Sequence, residues 1–199
     1  MNYHAFWSAS SKIRKTMRGE PEQAMAPRPG KERLAERYWA QRSKLLIANR
    51  HRTTNAVLTA VYSETPSVGS AWVPVAVSSD DEAKSLCVWW NSTPVRLMLF
   101  NRRSKTLDYP SWSLDQLRSV AVPSPSNPAW GYLLAAYQQA CDIELLPLRD
   151  GQRCEGRLII DRAAARVLDV PEAEIADWRL RLAREPTISN QPADAPHPP

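Results

Sequence analysis

The sequence predicts an α+β fold in which a small mixed sheet with flanking helices is followed by a helical C-terminal third. Short runs rich in β-branched and aromatic residues lie between residues 45 and 77, whereas helical periodicity dominates from residue 128 onward. The elements are expected in the order helix, three strands, two helical elements, a short strand and further helices. This order differs from the regular strand–helix alternation of a doubly wound fold.

The first predicted elements are one helix and three strands. From Lys31 to Ser43 apolar residues recur at every third or fourth position among charges, which indicates a short amphipathic helix. Strands are predicted over residues 45–49, 55–62 and 71–77, and the proline within the third favours an edge or a bulge. The sequence ETPSVGS between the second and third has the composition of a turn.

Helices are expected to dominate the remainder of the chain. Ser79 followed by three carboxylates predicts the start of a helix that continues through SLCVWWNST. Residues 95–100 form an apolar run that fits either a helix or a strand. A short helix with Ser113 as its N-cap, a brief strand in VAVPSPSNP and three final helices follow, the latter over residues 129–142, 152–168 and 171–184.

Composition divides the chain into four parts. Residues 1–30 carry few apolar anchors and are expected to be a disordered basic leader. Residues 31–126 form the predicted α+β domain, residues 127–185 a helical C-terminal region, and residues 186–199 a disordered tail.

Several classes of chemistry find no support in the sequence. Six glycines leave little material for Gly-rich nucleotide cradles, and three scattered cysteines form no CxxC pair with a nearby histidine. None of the three histidines is placed to form a hydrolytic triad, so neither a catalytic residue nor a metal ligand is predicted. The apolar runs are too short to span a membrane, no secretion signal is visible, and a cytoplasmic location with reduced, mostly buried thiols is expected.

Positive charge is concentrated in the first third of the chain. Residues 1–60 contain 12 Lys and Arg against 4 Asp and Glu, while residues 61–199 contain 14 against 17. Such an excess favours a polyanionic partner, although a basic, poorly folded arm gives the same count. Two cationic loops suit phosphate contacts or guanine recognition, and the candidate DNA-binding residues in them are Asn49, Arg50, Arg52, Thr53, Asn101, Arg102, Arg103, Ser104 and Lys105. A solvated loop explains each one about as well.

Several short blocks of sequence resemble a known family. LLIANR, GSAWVPV, CVWWNST, NRRSK with YPSWSLDQLRSVAVPSP, and LLPLRD with ADWRLRLAREPTIS occur in this order over about residues 31–190. Together they resemble the C-terminal region of bacterial N6-adenine DNA methyltransferases of restriction-modification and related defence systems. The order of strands, an element ending in Asn-Ser, a helix and Pro-x-Pro is similar to their target recognition domains and to type I specificity subunits.

The resemblance implies a module that recognises duplex DNA while chemistry takes place on a separate catalytic domain or subunit. An adenine methyltransferase requires a Gly-rich loop for S-adenosylmethionine and an Asn/Asp-Pro-Pro-aromatic motif for the flipped base, and the sequence contains neither. The nearest match, Asn127-Pro128-Ala129-Trp130, is interpreted as a helix N-terminus. S-adenosylmethionine is therefore expected on a partner methyltransferase, and this chain is expected to be a non-catalytic fragment, subunit or remnant.

A different class of function is also open. The C-terminal helices carry apolar stripes that include Leu158, Ile159, Ala163, Val167, Ile175, Trp178 and Leu182. These stripes fit a protein–protein interaction module, or a decayed remnant without DNA contact, and they equally fit the completion of the protein's own core.

Overall fold

A computed structural model describes residues 3–7, 14–50, 57–102 and 111–189. Within these residues the strands β1 (Tyr3–Phe6), β2 (Gln23–Met25), β3 (Ser43–Ala48), β4 (Ala60–Gly69) and β5 (Trp72–Val75) form a mixed sheet. Its strand order is β2-β1-β4-β3-β5; β1 and β4 run parallel, and the other pairs are antiparallel. The predicted α+β fold class is confirmed at this level.

Helices follow the sheet and pack mainly on one of its faces. They are α1 (Glu32–Trp39), α2 (Asp80–Asn91), α3 (Thr93–Arg102), α4 (Leu114–Arg118), α5 (Trp130–Ala140), α6 (Glu155–Leu168), α7 (Glu172–Arg184) and α8 (Pro186–Ser189), with a 3₁₀ helix over Leu148–Arg153. The apolar run over residues 95–100, which fitted a helix or a strand, lies in α3. Within the described residues no helix is long and apolar enough to cross a membrane.

The N-terminal segment differs from the expected disordered leader, because its described residues belong to the fold. Tyr3 and Phe6 on β1 are buried, and Met17 is fully buried in the main core. The backbone N–H of Gly19 donates to Tyr62 O, while Tyr62 N–H donates to Met17 O. The few apolar residues of this segment are therefore enough to order it, because they pack beside a strand that offers unused backbone partners.

Strand β4 runs through the residues that were expected to be a turn. Its pairing with β3 jumps from Tyr62, opposite Leu45, to Ser67, opposite Ser43, so four residues of β4 leave the ladder. The four unpaired residues keep hydrogen bonds typical of a turn, since Ser63 Oγ donates to Thr65 O and accepts from Thr65 N–H. Pairing on both sides of the excursion continues the strand in spite of turn-forming residues.

The structure also differs from two other expectations, the brief strand in VAVPSPSNP and the disordered tail over residues 186–199. The residues from Val120 to Pro123 form no strand, and Val122 is 47% exposed with no neighbouring ladder to join. In the segment expected to be a disordered tail, α8 is formed and its Ile188 is fully buried against Leu182. Residues 190–199 of that tail lie outside the described part of the chain.

The sheet has an apolar layer on each face. Leu45 and Ile47 of β3 face the main core with the helices, whereas Leu46 and Ala48 face a smaller cluster with Trp72. This alternation follows from the two-residue period of a strand. Helix α2 lies over β3 and β4 and brings Trp89 and Trp90 into the main core.

The junction between α2 and β4 depends on one amide side chain. Asn91 Oδ1 accepts hydrogen bonds from the backbone N–H groups of Thr59 (2.8 Å) and Ala60 (3.3 Å). Its Nδ2 donates to Ala60 O (2.8 Å) and Cys87 O (2.9 Å), and Asn91 is 1% exposed. The last residue of α2 therefore anchors the first residue of β4.

Candidate nucleic-acid interface

The segment that ends at Arg50 meets the segment that begins at Ser111 beyond the C-terminal end of β3, while Asn101 and Arg102, predicted to lie in a loop, are the last residues of helix α3. Arg50 forms an isolated antiparallel bridge with Ser111, and Trp112 N–H donates to Asn49 O at 2.9 Å. Arg50 lies two residues after the end of β3, whereas Ser111 is the first described residue after α3. This backbone contact brings chain segments some 60 residues apart to one surface.

The surface rests on a buried anchor. Trp112 is 5% exposed, and its Nε1 donates to Leu99 O of α3 at 3.1 Å. On the other side, Asn49 N–H donates to Ala71 O at 3.1 Å just before β5. A polar surface held by a buried aromatic ring and by backbone bonds to two neighbouring segments is well ordered before any ligand arrives.

Helix α4 holds the end of α3 in place. Ser113 and Gln116 form a complete capping box at the start of α4, as the sequence predicted for Ser113. Gln116 Nε2 also donates to Arg102 O at 2.9 Å, and the Arg102 guanidinium donates to Ser119 O at 3.3 Å. Arg102 is thus tethered at both backbone and side chain while it remains exposed.

The described part of this surface is cationic. Arg50, Asn101 and Arg102 are exposed, and Asn49 is half-buried. Residues 49–50, 101–102 and 111–119 contain three arginines and one carboxylate, Asp115. The third arginine, Arg118, is 3.4 Å from that carboxylate in an exposed ion pair, which contributes little to stability.

The remaining candidate DNA-binding residues lie outside the described part of the chain. They follow the described ones directly in sequence and are Arg52, Thr53, Arg103, Ser104 and Lys105. The structure therefore brings Asn49 and Arg50 close to the segment at Ser111, with Asn101 and Arg102 attached through α4.

Two other sequence features have structural roles. Both carboxylate oxygens of Asp80 lie 2.8 Å from Lys44 Nζ, and this hydrogen bond lowers the pKa of Asp80. Ser79 caps α2 by accepting a hydrogen bond from Glu82 N–H, as predicted. Asn127 Oδ1 accepts from Ala129 N–H at 2.8 Å just before α5, which agrees with the interpretation of this motif as a helix start.

Most apolar residues of the C-terminal helices complete the protein's own core. Ala163 and Val167 of α6 belong to the main cluster, and Leu182 of α7 packs with Ile188. Leu158 remains 36% exposed. These contacts favour the core alternative for the apolar stripes over a free docking face.

A buried cluster of charges escaped the sequence analysis. Arg96 of α3, Arg157 and Asp161 of α6, and Arg179 of α7 are 4%, 3%, 3% and 6% exposed. Arg157, Asp161 and Arg179 sit on helices with frequent charges, so in the sequence they look like parts of a solvated face. Arg96 differs from them, because it interrupts the apolar run over residues 95–100.

The cluster is built around one carboxylate and one backbone carbonyl. Asp161 accepts hydrogen bonds from Arg179 Nη1 (2.6 Å), Thr93 N–H (2.8 Å) and Thr93 Oγ1 (2.7 Å). Arg157 Nη2 and Arg96 Nη2 both donate to Val57 O, at 2.6 and 2.8 Å. Arg157 also donates to Leu146 O through Nε and Nη2.

Burial affects the two arginines that share the carbonyl. It lowers the pKa of Arg96 well below its usual value, and the charge of Arg157 lowers it further while Asp161 opposes the change. Burial is also the main cause of the lowered pKa of Arg157. In both cases the main cause is the removal of the guanidinium from water, which disfavours its charged form.

In the ranges that the structure describes, no group of three or more His, Cys, Asp or Glu side chains is arranged to hold a metal ion. All three cysteines, Cys87, Cys141 and Cys154, are free and buried, as predicted. No protein-family model, curated protein or solved structure matches the chain.

Proposed function

We propose that this protein binds duplex DNA through the surface formed by residues 49–50, 101–102 and 111–119. The backbone bridge between Arg50 and Ser111 carries the proposal, because it places Arg50 beside the segment whose Gln116 holds Arg102 by a hydrogen bond to its backbone oxygen. The sequence adds further cations directly after both segments.

The chemistry of the surface suits a phosphate backbone. Arg50 and Arg102 are exposed, and guanidinium groups make charge-assisted hydrogen bonds to phosphate oxygens. Asn49 and Asn101 stand beside them as neutral donors and acceptors, which are the groups that commonly supplement such contacts. Phosphate contacts position a protein on DNA, and base contacts would then provide specificity.

The likeness to target recognition domains extends the proposal to a partner. On that likeness the chain is a non-catalytic recognition module that positions an N6-adenine methyltransferase, which would bind S-adenosylmethionine. This extension rests on the sequence blocks alone, whereas DNA binding rests also on the geometry of the cationic surface.

The test is a salt titration of DNA affinity with the full-length protein. Fluorescence anisotropy with a labelled mixed-sequence duplex gives the affinity at several salt concentrations. The slope of log K against log salt is negative, and each lost phosphate contact reduces its magnitude by about 0.9. The double variant Arg50→Gln, Arg102→Gln should therefore reduce the magnitude of the slope by about 1.8. At fixed low salt the affinity of the double variant should fall about a hundredfold or more, since each of the two charged hydrogen bonds contributes about 1.5 kcal/mol or more.

A matched control uses two arginines on the C-terminal side of the molecule. The side chains of Arg153 and Arg181 are 78% and 77% exposed and pair with neighbouring carboxylates. Arg153→Gln with Arg181→Gln removes the same charge and should leave the slope unchanged. Binding that does not depend on salt, no binding by the unmodified protein, or an equal loss in both double variants contradicts the proposal.

A further inference from the structure

The buried cluster of Arg96, Arg157, Asp161 and Arg179 carries more positive charge than its surroundings balance. Among the described residues the cluster contains three guanidinium groups and one carboxylate, and only Arg179 bonds to that carboxylate. A guanidinium stays protonated in a protein interior, so the cluster holds a net charge of +2. Buried charge without a counter-charge is strongly unfavourable, and buried charges in proteins are normally paired.

Arg96 is the least satisfied member of the cluster. Its Nη2 donates to Val57 O, but its Nε and Nη1 are buried and find no hydrogen-bond partner in the described structure. Arg179 likewise leaves Nε without a partner there. Buried donors are almost always paired in folded proteins, which makes several orphan donors in one cluster informative.

The side chains of the cluster form one continuous group. Arg96 and Arg157 converge on the same carbonyl oxygen, and a Cβ placed on Gly151 would lie 3.4–3.5 Å from the side chains of both Arg157 and Arg179. Asp161 joins Arg179 to the start of α3 through Thr93. Elements that are distant in sequence therefore direct their cations to one place.

A cavity adjoins the cluster on the side of Asp161 and Arg179. A cavity of about 230 Å³ between α6 and α7 is lined by Asp161 and Arg179 together with Leu158, Arg162, Glu172, Ala173 and Ala176. The volume holds several water molecules. The ion pair of Asp161 and Arg179 thus belongs both to the wall of this cavity and to the buried cluster.

We infer that this cluster is a binding site for a small phosphate-type oxyanion. Such an ion supplies negative charge and several acceptor oxygens, which are the two things that the cluster lacks. Arginine suits this role because its planar donor groups match phosphate oxygens. The site is distinct from the DNA-binding surface, and neither depends on the other.

The first experiment measures thermal unfolding of the full-length protein in chloride buffer with increasing sodium phosphate at constant ionic strength. A specific site gives a saturable increase in Tm, of about 5–10 °C when phosphate reaches about 100 times its Kd. Acetate is run in parallel to separate phosphate chemistry from that of a carboxylate. An unsaturable rise reflects general salt exclusion from the protein surface and counts against the site.

Arg96→Met is the decisive variant. Arg157 still donates to Val57 O in this variant, so no backbone acceptor is left without a partner. Without phosphate the variant should be as stable as the unmodified protein or more stable, because an unbalanced buried charge is replaced by an apolar chain of similar volume. It should lose the response to phosphate, whereas exposed Arg102→Met should retain it. An unchanged response in Arg96→Met overturns the proposal.

A second measurement needs no variant. Equilibrium dialysis of the unmodified protein against radiolabelled phosphate should give one bound ion per chain. The Arg50→Gln, Arg102→Gln double variant should bind the same amount, which separates this site from the DNA-binding surface. Stoichiometry far below one, or binding that disappears in the double variant, contradicts the assignment.

Discussion

Replacing Asn91 with alanine should destabilise the protein strongly without affecting its surface. The substitution removes four hydrogen bonds, of which three join the end of α2 to the start of β4 and the fourth goes to Cys87 O within α2. Thr59 N–H, which donates to Asn91 Oδ1 at 2.8 Å, then remains buried without its partner. An orphan buried donor costs about 1–3 kcal/mol, and the space left by the amide adds to this.

The expected loss in the free energy of unfolding is about 3 kcal/mol. For a chain of this length it corresponds to a decrease in Tm of about 6–12 °C. Thermal and urea unfolding followed by circular dichroism measure both quantities, and an unchanged urea m-value would show that the unfolded surface is the same.

Asn101→Ala provides the matched control, because it makes the same chemical change at an exposed position of α3. Its effect should stay within about 0.5 kcal/mol. If Asn91→Ala also stays within that limit, the hydrogen bonds of Asn91 do not hold α2 against β4 and the reasoning is refuted.

Two further predictions use glycine positions and a buried thiol. A Cβ at Gly69 would lie 2.8 Å from the backbone oxygen of Phe6, so Gly69→Ala should lower stability by about 1–3 kcal/mol. A Cβ at Gly131 in α5 would have no other atom within 4 Å, so Gly131→Ala should raise stability by about 0.5–1 kcal/mol. If urea unfolding shows that both substitutions change the free energy of unfolding in the same direction, these two predictions are contradicted. Burial raises the pKa of the Cys87 thiol, so it stays protonated in the folded protein and should react with Ellman's reagent only after unfolding. Because the unfolded thiol releases its proton above about pH 9 and the folded one does not, Cys87 should lower stability as pH rises beyond that value, by up to about 1.4 kcal/mol per pH unit; Cys87→Ala should flatten this dependence.

Local sequence rules were reliable where the structure depends on neighbours along the chain. The cap at Ser79, the capping box at Ser113 and the edge position of the strand with Pro74 follow from side chains within a few residues of each other. Helical periodicity likewise located α5, α6 and α7, because one buried stripe per helix repeats every three to four residues.

Expectations were wrong where distant segments decide the conformation. The turn-like residues of β4 are drawn into the sheet by β3 and β1, while the residues after Val120 find no strand beside them. In both cases composition describes a preference, and the presence or absence of a backbone partner overrides it. The ordered part of the N-terminal segment has the same explanation, since Phe6 and Met17 are buried only because β4 lies next to them.

The sequence by itself determined the α+β fold class, most helices, and the N-caps of α2 and α4. Those properties arise from periodicity and composition, which are local. Only the tertiary structure decided that Arg50 lies beside Ser111, that Arg96 and Arg157 converge on the carbonyl oxygen of Val57, and that Arg179 pairs with Asp161. The physical reason is that an arginine on a helix has the same local pattern whether it faces water or a neighbouring helix. Its burial is set by packing between segments that are far apart in the chain.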